Sequence, residues 1–143
     1  MKLRTKETLR ELVDAYALLG DEKKISEQMS LFTPDAVYTV YMNGIVVADI
    51  KGTDNLQKEF NGHASAVKTY FTLNGQHNVK ISGDSATGTS FSTIKMIREH
   101  EGKDIITDYS VRYDDTYIFL NNKWLIAQRI GHFIIVEARP INN

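Results

Sequence analysis

Leu73-Asn74-Gly75-Gln76-His77-Asn78-Val79-Lys80-Ile81-Ser82-Gly83-Asp84-Ser85-Ala86-Thr87-Gly88 reads as two strands folded around a Gly83-Asp84 turn. Its first arm contains a glycine in mid-strand, Gly75, and an interior glycine is where a β-bulge sits. That decides one orientation. Five residues separate Thr72 from His77, an odd number, so the two side chains face opposite ways unless a bulge near Gly75 resets the alternation.

Outward from this hairpin the pattern stays sheet to the end of the chain. Strands are expected over Thr69 to Ser82, Ser85 to Ile97, Asp104 to Phe119 and Lys123 to Val136, with breaks at Glu101-Gly102 and Asn121-Asn122. Such a succession makes an antiparallel meander. Upstream, Val37 to Met42 and Ile45 to Ala48 flank Asn43-Gly44, a dipeptide that accepts the positive φ angles of a tight hairpin. Leu9, Leu12, Val13, Tyr16 and Ala17 lie on one side of a helix that runs from Lys6 to about Leu19. After Gly20-Asp21 a short second helix is expected through Ile25, Met29 and Phe32, stopping before Pro34. Gly52-Thr53-Asp54 opens a third helix, with Leu56, Phe60, Ala64 and Val67 about four residues apart, ending near Lys68. The order is α-α-β-β-α followed by four strands. It implies an α+β fold in which three helices pack on a strongly curved, mainly antiparallel six-stranded sheet, with a pocket between the layers.

Composition narrows the classes of function. At 143 residues the chain is the size of one domain, read here as residues 1–143. Lys and Arg number 17 against 18 Asp and Glu, so a net charge of −1 offers no general attraction to nucleic acid or an anionic membrane. The absence of cysteine removes disulfides and thiol nucleophiles and fits a cytoplasmic protein. No segment approaches the roughly 18 apolar residues of a membrane span. Arg98-Glu99-His100-Glu101-Gly102-Lys103-Asp104 reads as a solvated hairpin tip, and Asp114-Asp115 point to opposite faces of a strand and cannot converge on one atom. Neither Asn61-Gly62-His63 nor Asn74-Gly75-Gln76 has the strand-to-helix context of a phosphate loop.

The order and spacing of several motifs carry a resemblance over nearly the whole chain. These are the helical start, Leu31-Phe32-Thr33-Pro34-Asp35-Ala36-Val37-Tyr38, Gly83-Asp84-Ser85-Ala86, Tyr113-Asp114-Asp115-Thr116-Tyr117 and Trp124-Leu125-Ile126-Ala127-Gln128-Arg129. Together they resemble the SnoaL-like branch of the nuclear-transport-factor-2-like superfamily, a cone-shaped, cystatin-like fold around one pocket. The branch that looks nearest includes scytalone dehydratase and bile-acid dehydratase relatives, which use an Asp-His pair and pocket tyrosines to move a proton beside a carbonyl. The resemblance implies no cofactor.

Carried onto this sequence, the family aspartate falls on Asp21 and the family histidine on Thr72. Threonine cannot take up a proton at neutral pH, so the ordinary dyad is absent. Asp21 has two open roles: a pocket carboxylate acting as acid/base or orienting group, or the N-cap of the second helix, which Lys24 in place of a second aspartate favours. His77 is the substitute imidazole if the strand bulges. His63, His100 and His132 lack metal-ligand spacing, and His132 is read as structural. Tyr41 lies near the family's first-strand tyrosine and is the candidate to polarise a substrate oxygen. Tyr16, Thr72, Tyr109, Val111 and Tyr113 are expected to line the pocket, the last three sharing one face of a strand.

Two functions compete. One is a cofactor-independent dehydratase, isomerase or cyclase for a small hydrophobic ring compound, with Asp21, Tyr41 and His77 as its catalytic set. The other is a non-catalytic small-molecule binder or structural module, favoured by threonine at the histidine position. Both predict a homodimer, because Leu125, Phe133 and Ile135 on one face of the last strand and Ile126, Ile130, Ile134 and Val136 on the other leave both faces in need of cover.

Overall fold

The computed structural model describes residues 2–141. Helix α1 (Lys2–Asp21) seats Leu9, Leu12 and Val13 in the core. Its end is a left-handed cap: Lys23 takes φ 58°, its N–H donates to Gly20 O at 3.0 Å, and Lys24 N–H donates to Leu19 O at 2.9 Å. Asp21 is therefore in the last turn of α1. It does not cap α2 (Ile25–Met29), whose preceding residue is Lys24. Helix α2 stops earlier than expected, and Phe32 belongs to the next strand.

Six strands follow: β1 (Phe32–Met42), β2 (Ile45–Lys51), β3 (Thr69–Ser82), β4 (Ser85–His100), β5 (Lys103–Leu120) and β6 (Lys123–Pro140), with α3 (Thr53–Ala66) between β2 and β3. They form one open mixed sheet in the order β2-β1-β6-β5-β4-β3. Strand β1 runs parallel to β6, and the other neighbours are antiparallel. Pro34 sits in β1 where its pairing with β6 breaks between Phe32 and Val37, so the missing N–H costs no ladder bond.

Bulges decide which side chains face the helices. In β3 the register slips between Asn74 and His77, placing Gly75 and Gln76 in one step. Tyr70, Thr72 and Asn74 before the slip, and His77, Val79 and Ile81 after it, are the less exposed positions. Two further slips in the β5/β6 pairing leave Ala127 and Ile134 of β6 without direct partners. The first brings Ile126, Arg129, Gly131 and Phe133 all to the buried face. A strict alternation from Ile126 would have turned Arg129 outward. On β5 the alternation is unbroken, and Tyr109, Val111, Tyr113, Asp115 and Tyr117 all point into the core.

Candidate active site

A cavity of about 340 Å³ lies between α1, α2, α3 and the inner face of the sheet. Its size is that of a small ligand site. Val40, Met42, Ile50, Phe60, Ile94 and Phe133 supply apolar wall. Polar residues line it from six elements: Tyr16 and Asp21 on α1, Gln28 on α2, Tyr38 on β1, Glu59 and His63 on α3, Tyr70 on β3, and Tyr109 and Tyr113 on β5.

Asp21 is held by Thr72. The Thr72 backbone N–H donates to Asp21 Oδ2 at 2.8 Å and its hydroxyl donates to Oδ1 at 2.7 Å. A carboxylate in the last turn of a helix faces the negative end of the helix dipole, so this placement costs free energy that the two hydrogen bonds offset. Asp21 also borders the cavity.

Deeper in, Tyr16, Tyr38 and Tyr113 gather their phenols. The Tyr16 and Tyr38 oxygens are 3.4 Å apart, and Tyr38 also interacts with Tyr113. Burial pushes all three hydroxyls well above the ordinary phenol value, so each remains a neutral donor. Behind them lies Arg129, 1% exposed, with its guanidinium 3.6 Å from the Tyr113 ring centre and 4.3 Å from that of Tyr16. Burial alone would push Arg129 down, but the Asp115 carboxylate, 3.2 Å from Nε, and the tyrosines outweigh it and hold the group charged. Asp115 Oδ2 accepts from the Tyr117 hydroxyl at 2.8 Å, and His77 Nε2 lies 3.0 Å from that hydroxyl.

At the mouth, His63 Nδ1 is 2.6 Å from the Tyr70 hydroxyl and Nε2 is 3.0 Å from an Arg98 nitrogen. Partial burial, and then the Arg98 charge, hold His63 below its ordinary value against the opposing pull of Glu59. Burial pushes the Tyr70 hydroxyl up to about 12.

The SnoaL-like domain model matches residues 1–130 of the chain. This chain belongs to the SnoaL-like domain family. None of the curated proteins matches its sequence. Among solved structures it is similar to a candidate scytalone dehydratase from Novosphingobium aromaticivorans, with 17% identity over 99% of this chain and 91% of that one and a TM-score of 0.82. It is also similar to hexachlorocyclohexane dehydrochlorinase LinA-type3 from Novosphingobium barchaimii, with 14% identity over 99% and 93% and a TM-score of 0.79. A nuclear-transport-factor-2-like protein with a cystatin-like fold from Novosphingobium aromaticivorans matches with 22% identity over 92% and 82% and a TM-score of 0.72. At these identities the likeness is one of fold.

Within this SnoaL-like domain the expected site residues separate. Asp21, Tyr16, Tyr109 and Tyr113 border the cavity; Thr72, expected to line it, does not, and instead holds Asp21 with its N–H and hydroxyl. Val111 shares the inward face but is only 3% exposed and does not border the cavity. Tyr41 is on the other side of the sheet. The strand alternation that turns Tyr38 and Val40 inward turns Tyr41 outward, where its ring stacks on His132 with centroids 5.3 Å apart. His77 faces inward because of the bulge, yet it is taken up by Tyr117 beneath α1 and does not border the cavity. Tyr38, His63 and Tyr70 also border the cavity, and none of them is among the site residues expected from the sequence. A signal for Tyr70 was in the sequence, two residues before Thr72 and so on the same face.

Proposed function

We propose that this SnoaL-like domain is a cofactor-independent lyase or isomerase, of dehydratase or cyclase type, acting on a small hydrophobic ring compound. The observation that carries the reading is that Asp21 and three neutral phenols, those of Tyr38 and Tyr113 buried and that of Tyr16 half-buried, border one largely apolar cavity. Asp21 removes a proton from a ring carbon beside a carbonyl, and the electron pair moves onto the oxygen. A phenol hydroxyl, backed by the Arg129 charge, stabilises that developing oxyanion. In a dehydratase the electrons then return to expel a β-hydroxyl group, which takes the proton held by Asp21 and leaves as water; in an isomerase Asp21 returns that proton at another carbon. Tyr38 takes the polarising role first assigned to Tyr41, because Tyr41 stands outside the cavity. His77 drops out for the same reason.

The test is hydrogen–deuterium exchange beside the carbonyl of 2-tetralone, followed by proton NMR in deuterated water. Exchange with the wild-type protein and a loss of about 10²- to 10⁴-fold in Asp21→Asn supports the reading. Equal rates in the two proteins would sink it.

A second reading is a binder that transforms nothing. It is favoured by the Asp21–Thr72 contact, since both donors of Thr72 already engage the carboxylate. Saturable binding of 2-tetralone without exchange would select it.

We also propose a homodimer formed through the outer sheet face, where Phe71 and Leu73 are 54% and 59% exposed and Phe91 is 39% exposed. Sedimentation equilibrium that reports a monomer over a hundredfold concentration range would contradict it. Among the described residues no helix is long and apolar enough to cross a membrane, and the lack of cysteine supports a cytoplasmic location.

A further inference from the structure

We infer that Arg98, acting through His63, fixes the Tyr70 hydroxyl as a hydrogen-bond donor into the mouth of the cavity, so that the ligand presents an acceptor oxygen of the carbonyl class there. The inference rests on the cavity being a ligand site, and it is independent of whether Asp21 is a base.

The chain of hydrogen bonds has only one consistent direction. Arginine carries donors and no acceptor, so His63 Nε2, 3.0 Å from the Arg98 nitrogen, must be the unprotonated ring nitrogen. The neutral imidazole then carries its proton on Nδ1, and that N–H donates to the Tyr70 oxygen at 2.6 Å. Tyr70 has one proton left to place. Among the described residues its hydroxyl has no hydrogen-bond partner besides His63, and the Asp21 carboxylate is engaged by Thr72. Tyr70 and His63 both border the cavity.

The surroundings hold this arrangement. Arg98 on β4 is half-buried, and its polar contacts are His63, the Tyr109 hydroxyl at 3.4 Å and the Met96 sulfur at 3.6 Å; none is a carboxylate. Its charge is felt by His63 and, together with partial burial, keeps the imidazole neutral against the pull of Glu59 on α3. From the end of α1, Lys23 Nζ lies 5.9 Å from the Tyr70 ring centre and donates to Val67 O, while Asp21 bears on Tyr70 from the same side. Protonating His63 would make both ring nitrogens donors and break the contact with Arg98. Removing Arg98 would let His63 move its proton to Nε2, after which Nδ1 would accept the Tyr70 proton and the hydroxyl would turn away from the ligand. Arg98 and His63 are thus positioning residues, and Tyr70 is the group that selects the ligand.

The experiment uses the full chain and two probes of the same shape, 2-acetylnaphthalene and 2-isopropenylnaphthalene, which differ by a carbonyl oxygen in place of a methylene. Affinities are read by fluorescence titration, and the His63 tautomer by nitrogen-15 NMR of histidine-labelled protein, with His63→Gln assigning the signal. The expected result is an Nδ1–H tautomer in the wild type and a ketone-to-alkene affinity ratio that falls about threefold to tenfold in Tyr70→Phe. In Arg98→Met the ratio falls similarly and the tautomer signal moves to Nε2–H, a change that loss of packing alone would not produce. Arg98→Lys restores both, and gives the comparison if Arg98→Met does not fold. An Nε2–H tautomer in the wild type, or an unchanged ratio in Tyr70→Phe, overturns the inference. Failure of both probes to bind overturns it together with the ligand-site reading. Equal exchange rates in Asp21→Asn and wild type remove only the catalytic role of Asp21.

Discussion

Thr72 gives both of its donors to the Asp21 carboxylate, the N–H at 2.8 Å and the hydroxyl at 2.7 Å, and so ties the last turn of α1 to β3. The family histidine falls on this same position by resemblance, and its place opposite Asp21 is filled by a group that holds the carboxylate without sharing a proton with it.

Thr72→Val tests how much this tie is worth. Valine has the same shape and keeps the backbone donor, but removes the hydroxyl from a partly buried, charge-assisted bond, which is expected to cost about 1–2 kcal/mol. Urea denaturation measures it. A midpoint that does not move would mean that water replaces the hydroxyl at no cost.

The Arg129–Asp115 pair, with side chains 1% and 0% exposed, predicts a different signature. Arg129→Met leaves a buried carboxylate uncompensated and is expected to destabilise by about 3–5 kcal/mol. Combining it with Asp115→Leu removes both charges and should recover most of that loss. Thermal and urea unfolding of the two single variants and the double variant decide the matter. Additive losses would show that the two residues act independently.

The hairpin around Gly83-Asp84 and the strands on either side were legible because period-two patterning and turn residues are local signals. Strand β3 spans Thr69–Ser82, the range the patterning predicts. The slip at Gly75 was legible too, as a glycine inside a strand. Arg129 was not, because the slip that turns it inward falls at Ala127, with no glycine or other local mark. Tyr41 failed for a related reason: its position relative to a family tyrosine did not say which face of β1 the ring would take, and Tyr38 took the inward place. His63 and Tyr70 come together from α3 and β3, seven residues apart in sequence, and only the packing of the helix against the sheet brings the rings into contact.

Gly88 predicts a steric requirement. A Cβ placed there would stand 2.8 Å from Tyr117 Cε2 and 3.1 Å from Val79 Cγ1, and Tyr117 is held by Asp115 and His77. The ring can yield only by disturbing those contacts. Gly88→Ala should cost about 1–3 kcal/mol, read as a lowered unfolding midpoint. A neutral result would show that the Tyr117 network can shift as a unit.

Acid should weaken the fold through two histidines. His63 and His77 both lie below the ordinary value of 6.5 in the folded state: His63 through partial burial and then Arg98, against Glu59, and His77 through partial burial and then Arg10 and Arg129, against Asp14. As pH falls through about 6.5 the unfolded chain binds these protons first, because its histidines titrate at their ordinary value. Stability therefore rises with pH between the lowered folded values and about 6.5, levels off above that, and is lost as pH falls through the window. Urea midpoints measured from pH 7.5 down to pH 5 should show this fall, and His63→Gln with His77→Gln should make the profile flatter. A double variant that keeps the full acid sensitivity of the wild type would place its source in other groups.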